Sequence, residues 1–240
     1  MVKRTAIALS LFCLLAPPIL GQERTVQRDN FKWLTYNFIK TLDKGVSISL
    51  AFQPRRYAFP DRQHQFFSLL AVRKQYASGI KIGAGFCYFL QALPINRNDV
   101  DIVRPELRPL QEISYASRIN KLNISHRMML EERWFQNIEN DELVSGYEFQ
   151  FRFRYRVMVT RALDKHADWT AITSLEPMLN GGNPDIRNVF DQVRAFIGAK
   201  RKLSDNFSAT LGYLYWYQQF PTVTDFGSFH IIHLKIDHKL

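Results

Sequence analysis

Residues 149–159 read Phe149-Gln150-Phe151-Arg152-Phe153-Arg154-Tyr155-Arg156-Val157-Met158-Val159. The period is two. A strand sends successive side chains to opposite faces, so Phe149, Phe151, Phe153, Tyr155, Val157 and Val159 form one apolar face while Arg152, Arg154 and Arg156 line up on the other. Soluble antiparallel strands usually end after about five or six residues. About ten residues of apolar-out, polar-in alternation is what a tilted strand needs to cross a bilayer. The stretch therefore predicts a membrane-crossing strand, and its weight depends on whether it has companions.

It has several. Val46, Ile48, Leu50 and Phe52 alternate with small or polar residues, as do Ile80, Ile82, Ala84, Phe86, Tyr88 and Leu90. Ile124, His126, Met128 and Leu130 oppose Ser125, Arg127, Met129, Glu131 and Arg133, and Ile232, Leu234 and Ile236 oppose His233, Lys235 and Asp237. Periodicity places strands near 31–41, 45–57, 63–77, 80–91, 108–120, 122–135, 147–161, 168–179, 188–201, 206–219 and 228–240. Tight turns at Asp43-Lys44-Gly45, Ala77-Ser78-Gly79, Asn120-Lys121, Asp164-Lys165-His166 and Leu203-Ser204-Asp205 interleave with longer loops near 58–62, 92–107, 136–146, 180–187 and 220–227. Short turns on one rim and long loops on the other are the layout of an outer-membrane barrel, with the short rim in the periplasm. Eleven segments is odd, and single-chain bacterial barrels are normally even. The expectation is thus an all-β, transmembrane antiparallel up-and-down β-barrel of about twelve strands, with ten as the alternative. Trp33, Tyr57, Tyr76, Tyr115, Trp134, Tyr147, Trp169, Tyr213 and Tyr217 fall near predicted strand ends, where a girdle of amphipathic rings is expected at the headgroup level.

The amino terminus agrees with export. Lys3 and Arg4 precede the apolar run Thr5 to Leu15, which Pro17 and Pro18 interrupt, and cleavage after Gly21 is expected. Residues 1–21 are then a signal peptide, and 22–240 a single barrel domain in the cell outer membrane. The run is too short to span a bilayer as a helix, and the mature chain holds no run of 18 apolar residues. Cys13 lies behind Phe12, a poor lipoprotein context, and its removal leaves Cys87 without a disulfide partner in the chain. The formal charge is +10, but the basic residues are dispersed singly along strands. No clustered basic patch marks a nucleic-acid surface. The partners expected are outer-membrane lipid, the barrel-assembly machinery during insertion, and a small anionic solute.

The polar faces supply the candidate site. Arg127, Glu131, Arg133, Arg152, Arg154, Arg156, Glu176, Arg194, Lys200 and Lys235 share the side of the small polar residues, which in a barrel is the lumen. Small barrels fill with side chains, and wide aqueous channels need about 16 strands. Two roles stay open. Arginines and glutamates on neighbouring strands can pair into an ionic plug, or the arginine excess can line a narrow pore that prefers anions. An outer-membrane lipid hydrolase or acyltransferase would need a nucleophile, a base and an orienting group in hydrogen-bond reach. His230, His233, Asp237 and His238 are the nearest constellation. His233 and Asp237 share one face, about 13 Å apart along a strand, and His230 and His238 the other, about twice as far apart, too far for a dyad or a shared metal ion. No Gly-x-Ser-x-Gly or His-Glu-x-x-His occurs. No catalytic residue, cofactor or metal is expected. A soluble secreted barrel that binds an apolar ligand inside is the remaining alternative, because periodicity does not say which face meets water. Loop 92–107, with Asn96, Arg97, Asn98, Asp99 and Asp101, is the candidate for a surface partner.

Several residues in fixed order carry a family resemblance. They are Trp33, the strand Gly83-x-Gly85-x-x-Tyr88, the run Glu106-Leu-Arg108-Pro-Leu-Gln111-Glu112, His126-Arg127 with Glu131-Glu132-Arg133-Trp134, the row Arg152-x-Arg154-x-Arg156, Glu176, and Gln192-x-Arg194. From about residue 30 to 240 the chain resembles the domain-of-unknown-function 2490 (DUF2490) family of Bacteroidetes-type outer-membrane proteins. Gln53 stands where that pattern carries an acidic residue. The resemblance implies an outer-membrane barrel of uncharacterised role and names no activity.

Overall fold

The structure, a computed structural model, describes residues 24–94 and 101–240. The predicted signal segment, Cys13 and the loop residues Asn96, Arg97, Asn98 and Asp99 lie outside the described residues. The fold is one closed barrel of eleven strands: β1 (Thr25–Thr41), β2 (Val46–Tyr57), β3 (Gln63–Gln75), β4 (Ile80–Pro94), β5 (Asp101–Ile119), β6 (Leu122–Glu139), β7 (Glu142–Ala162), β8 (Trp169–Gly181), β9 (Phe190–Lys202), β10 (Phe207–Gln219) and β11 (Asp225–Lys239). Every strand pairs antiparallel with its neighbour in sequence.

The strand count corrects the expectation of twelve. Each hairpin reverses the chain, so in an odd meander the first and last strands run the same way and the closing seam must be parallel. β1 and β11 meet that requirement, in unbroken register from Thr25↔Asp225 to Ile39↔Lys239. Parity alone predicted a missing strand; the parallel seam makes one unnecessary. The same parity puts the start of β1 and the end of β11 on opposite rims.

Two predicted loops are shorter than expected. Residues 92–94 and 101–107 belong to β4 and β5, and the rest of the candidate partner loop lies outside the described residues. The predicted loop 136–146 is almost all strand: β6 and β7 continue to a two-residue turn at Asn140 and Asp141, both with positive φ (49° and 63°). Two such residues give the turn whose twist matches that of the strands it joins. Ladder gaps elsewhere trace to proline, which donates no hydrogen bond. Pairing skips Pro54 between β1 and β2, Pro109 between β5 and β6, and Pro177 between β7 and β8.

Orientation follows the alternation, and the apolar rows point outwards. Leu34, Leu50, Leu70, Phe86, Met128, Phe153, Leu175, Ile197, Leu211 and Ile232 are exposed on the outer wall. Six of the predicted girdle aromatics, Tyr76, Tyr115, Trp134, Tyr147, Trp169 and Tyr213, are exposed as well. Trp33 is not part of a girdle. It is 4% exposed, packed inside with Phe31, Leu214, Trp216, Phe229 and Ile231. The interior is therefore two-sided. Aromatic rings fill the wall made by β1, β10 and β11, and a second apolar cluster of Cys87, Phe89, Leu110 and Met129 sits on β4 to β6.

Candidate functional site in the barrel lumen

A central cavity of about 1260 Å³ runs through the lumen, and all ten residues predicted to face it line it. Near the middle of the strands the carboxylates are nearly sealed from solvent; Glu106 and Glu131 are each 1% exposed. Glu131, on β6, accepts hydrogen bonds from Arg152 Nε at 2.6 Å and Arg154 Nη1 at 2.6 Å, both on β7. Arg152 reaches onward to Asp191 on β9 at 3.2 Å. Arg154 grips Glu176 on β8 in a two-point contact, 2.8 and 3.2 Å, the planar fork that suits guanidinium to carboxylate. Glu176 also accepts from Arg127 Nη2 at 2.5 Å.

The chain of charges continues at both ends. Arg133 is bidentate on Glu106, at 2.7 and 3.1 Å, and Arg108 donates to the same carboxylate at 2.7 Å. Arg127 stands 3.7 Å from Glu112, whose other oxygen takes Arg73 Nε, and Arg73 also donates to Ser49 Oγ at 2.7 Å. Room for that last pair comes from Gly83, where a Cβ would sit 2.9 Å from Arg73 Cγ and 3.2 Å from Glu112 Cγ. Arg73, Arg108, Arg127, Arg133, Arg152 and Arg154 thus share five carboxylates, Glu106, Glu112, Glu131, Glu176 and Asp191. A buried ion must be paired and hydrogen-bonded to be tolerated, and these are.

Three further lumen arginines are not. Among the described residues Arg55, Arg156 and Arg194 have no carboxylate within ion-pair distance. Arg156 lies directly across from Arg127, a like charge, and its Nε is enclosed without a hydrogen-bond partner. Lys235 pairs with Asp237 at 2.9 Å, and Lys200 lines the cavity beside β10.

The histidine constellation is split between the two faces of β11. His233 points inwards, 2.8 Å from Thr35 Oγ1 and 3.2 Å from Gln53 Nε2. His230 and His238 point outwards, to the hydroxyls of Tyr213 and Tyr36 at 2.5 and 3.2 Å. Asp237 accepts from Asn37 Nδ2 at 2.9 Å.

Sequence reading missed part of the site. Arg55 continues the inward row Ser47, Ser49, Ala51 and Gln53, and Glu106, Arg108 and Glu112 form an inward row on β5. Arg55, Arg108 and Glu112 already fall on the inward faces of the predicted strands 45–57 and 108–120, and Glu106 would have joined them had β5 been started at Asp101. Asp191 was out of reach. A register shift beside Met178 and Leu179 turns both Asp191 and Gln192 inwards, against the period of two.

A family model described as a protein of unknown function, DUF2490, matches residues 31–226. The chain belongs to the DUF2490 family. The match runs from the inward-facing part of β1 to the first residues of β11, and so covers the whole charged network. An uncharacterized protein of Methylorubrum extorquens is 26% identical over 220 residues, spanning 89% of each chain. The family description assigns no activity.

Proposed function

We propose that this DUF2490 protein is an outer-membrane β-barrel, exported with loss of residues 1–21, whose lumen is narrowed by a cross-strand ionic network that acts as its plug and which serves as a structural surface barrel. One observation carries the reading: the strands turn their apolar rows outwards and enclose their carboxylates. Leu70 is 52% exposed and Ile197 63%, within a belt that continues across the outer wall. Soluble monomers rarely expose apolar patches beyond a few hundred Å², whereas a bilayer wants such a belt. The alternative of a soluble barrel with an apolar ligand cavity needs the opposite orientation. Strands of 12 to 21 residues are long enough to cross when tilted. The partners follow: lipid around the belt and the barrel-assembly machinery during insertion. No catalytic chemistry is assigned to it.

A second reading, a narrow anion-preferring pore, is favoured by the uncompensated Arg55, Arg156 and Arg194. Two measurements separate these. The protein should co-fractionate with outer membranes and migrate as a heat-modifiable band; recovery in the soluble periplasmic fraction overturns the membrane reading. In planar bilayers the plugged barrel should be silent, and anion-selective steps would replace the plug with the pore.

A further inference from the structure

We propose that the lumen carries a binding site for a small oxyanion, a carboxylate, phosphate or sulfate group, held between Arg55 and Arg194 against Trp33. The site goes beyond the plugged-barrel reading and does not depend on where the protein resides. Arg194 starts on β9 directly opposite Glu176, yet its guanidinium lies over the rings of Trp33 and Trp216, 5.3 and 5.2 Å from their centroids. Among the described residues it makes neither a hydrogen bond nor an ion pair, and its enclosed Nε has no partner. Arg55, on β2, lies over the same Trp33 ring at 4.0 Å. Its Nε and Nη1 donate to the neutral amides of Gln53 and Gln65, at 2.7 and 2.8 Å, which leaves Nη2 without an acceptor.

The indole N–H groups of Trp33 and Trp216 are also buried without acceptors. Two guanidinium groups thus lie against one pair of indole rings, 6.0 Å apart, and among the described residues neither is ion-paired. The nearby carboxylates are engaged elsewhere: Asp191 by Arg152, and Glu176 by Arg127 and Arg154. Each orphaned buried donor costs about 1–3 kcal/mol, more when charged. Water can fill a hydrogen bond, but it leaves the paired-charge deficit in place. An oxyanion meets both needs, because its oxygens match the planar fork of a guanidinium. The ring contacts hold both cations in position without consuming a donor. Trp33, Trp216, Gln65 and Gln192 are all buried and line the central cavity beside the two arginines, so an anion reaches the site through the lumen.

The test uses folded, detergent-solubilised protein at fixed chloride, titrated with inorganic phosphate, sulfate, acetate or octanoate and followed by calorimetry and tryptophan fluorescence. Saturable binding with a fluorescence change is expected, since two of the four tryptophans wall the site. Tightest binding of phosphate or sulfate assigns the site to a free oxyanion, and octanoate binding tighter than acetate assigns it to the head of an amphiphile. Arg194→Gln and Arg55→Gln should each weaken binding at least about tenfold, the scale of one charge-assisted hydrogen bond. Gln53→Glu is the second variant: it places a carboxylate at Arg55, and should weaken binding while raising thermal stability, even if an arginine variant fails to fold. No saturable response at millimolar concentrations of any probe overturns the proposal, as does binding that Gln53→Glu and Arg194→Gln leave unchanged. Fractionation is independent of this outcome, so a soluble protein that binds phosphate would sink the membrane reading alone.

Discussion

Glu176 and Arg194 face each other across β8 and β9 but do not pair. Glu176 instead turns along the sheet to Arg154, one strand away, and Arg127, two strands away, while Arg194 turns to the aromatic wall. The choice divides the lumen. On one side of Glu176 every arginine but Arg156 has a carboxylate, and on the other Arg194 and Arg55 rest on tryptophan. Glu176 is thus the edge of the paired network.

Removing that charge should be costly. Glu176→Gln leaves Arg127 with only the distant Glu112 at 3.7 Å and takes one of the two partners of Arg154. Breaking a buried pair from one side destabilises by about 3–5 kcal/mol. The expected result is a clear fall in the denaturant midpoint of the refolded barrel. Adding Arg127→Gln should recover part of the loss, since the orphaned cation goes too; equal midpoints for the wild type and Glu176→Gln would contradict the network.

The outer wall gives a test of its solvent. Ile197 is 63% exposed near the middle of β9. For a surface in water, Ile197→Arg should change stability by no more than about 0.5 kcal/mol. At a bilayer mid-plane the same change costs about 2–4 kcal/mol. Folding free energies in lipid vesicles should show the larger figure, with Phe59→Arg in the 58–62 turn, 93% exposed, as the silent control.

How much of this was legible depended on periodicity surviving. The stretch 149–159 gave its strand, its faces and its arginine row correctly, because β7 has no bulge or proline across it. The eleven strands were all legible and only the even-number rule pushed the count to twelve, whereas the parallel seam was beyond reach, since pairing between the first and last strands leaves no local trace. Trp33 was misplaced on a girdle for a related reason: a ring near a strand end looks alike whether it faces headgroups or a lumen, and only the register with Arg55 puts it inside. Of the network partners on β5 only Glu106 was hidden, in the predicted loop 92–107, where Pro105 reads as loop while standing in a strand.

The parallel seam makes a topological prediction. Thr25 shares a rim with Asp225 and the 58–62 turn, and Lys239 ends at the rim of the 163–168 turn. On the proposed membrane reading, a tag before Thr25 should therefore label with a cysteine introduced at Asp61, and a tag after Leu240 with one at Lys165, on the opposite side. Impermeant maleimide on intact and permeabilised cells reads the sides. Both tags on one side would mean an even barrel.

The 163–168 turn should loosen in acid. Asp164 Oδ2 accepts from the Trp169 N–H at 2.6 Å, and Oδ1 accepts from those of His166 and Asp168, both at 3.0 Å, around Ala167 at φ 57°. The Trp169 N–H, then those of Asp168 and His166, hold the Asp164 carboxyl below its ordinary value of 3.8. A depressed carboxylate contributes stability that is fully present above its unfolded pKa and is lost as pH falls through the lower folded value. The Trp169 amide should therefore be protected from hydrogen exchange at neutral pH, once intrinsic exchange is corrected for, and lose protection below the ordinary carboxylate range. Asp164→Ala should remove that protection at every pH, and Asp164→Asn, which keeps one acceptor oxygen, should fall between. Protection that neither acid nor Asp164→Ala alters would show that the strand ends, and not the carboxylate, hold the turn.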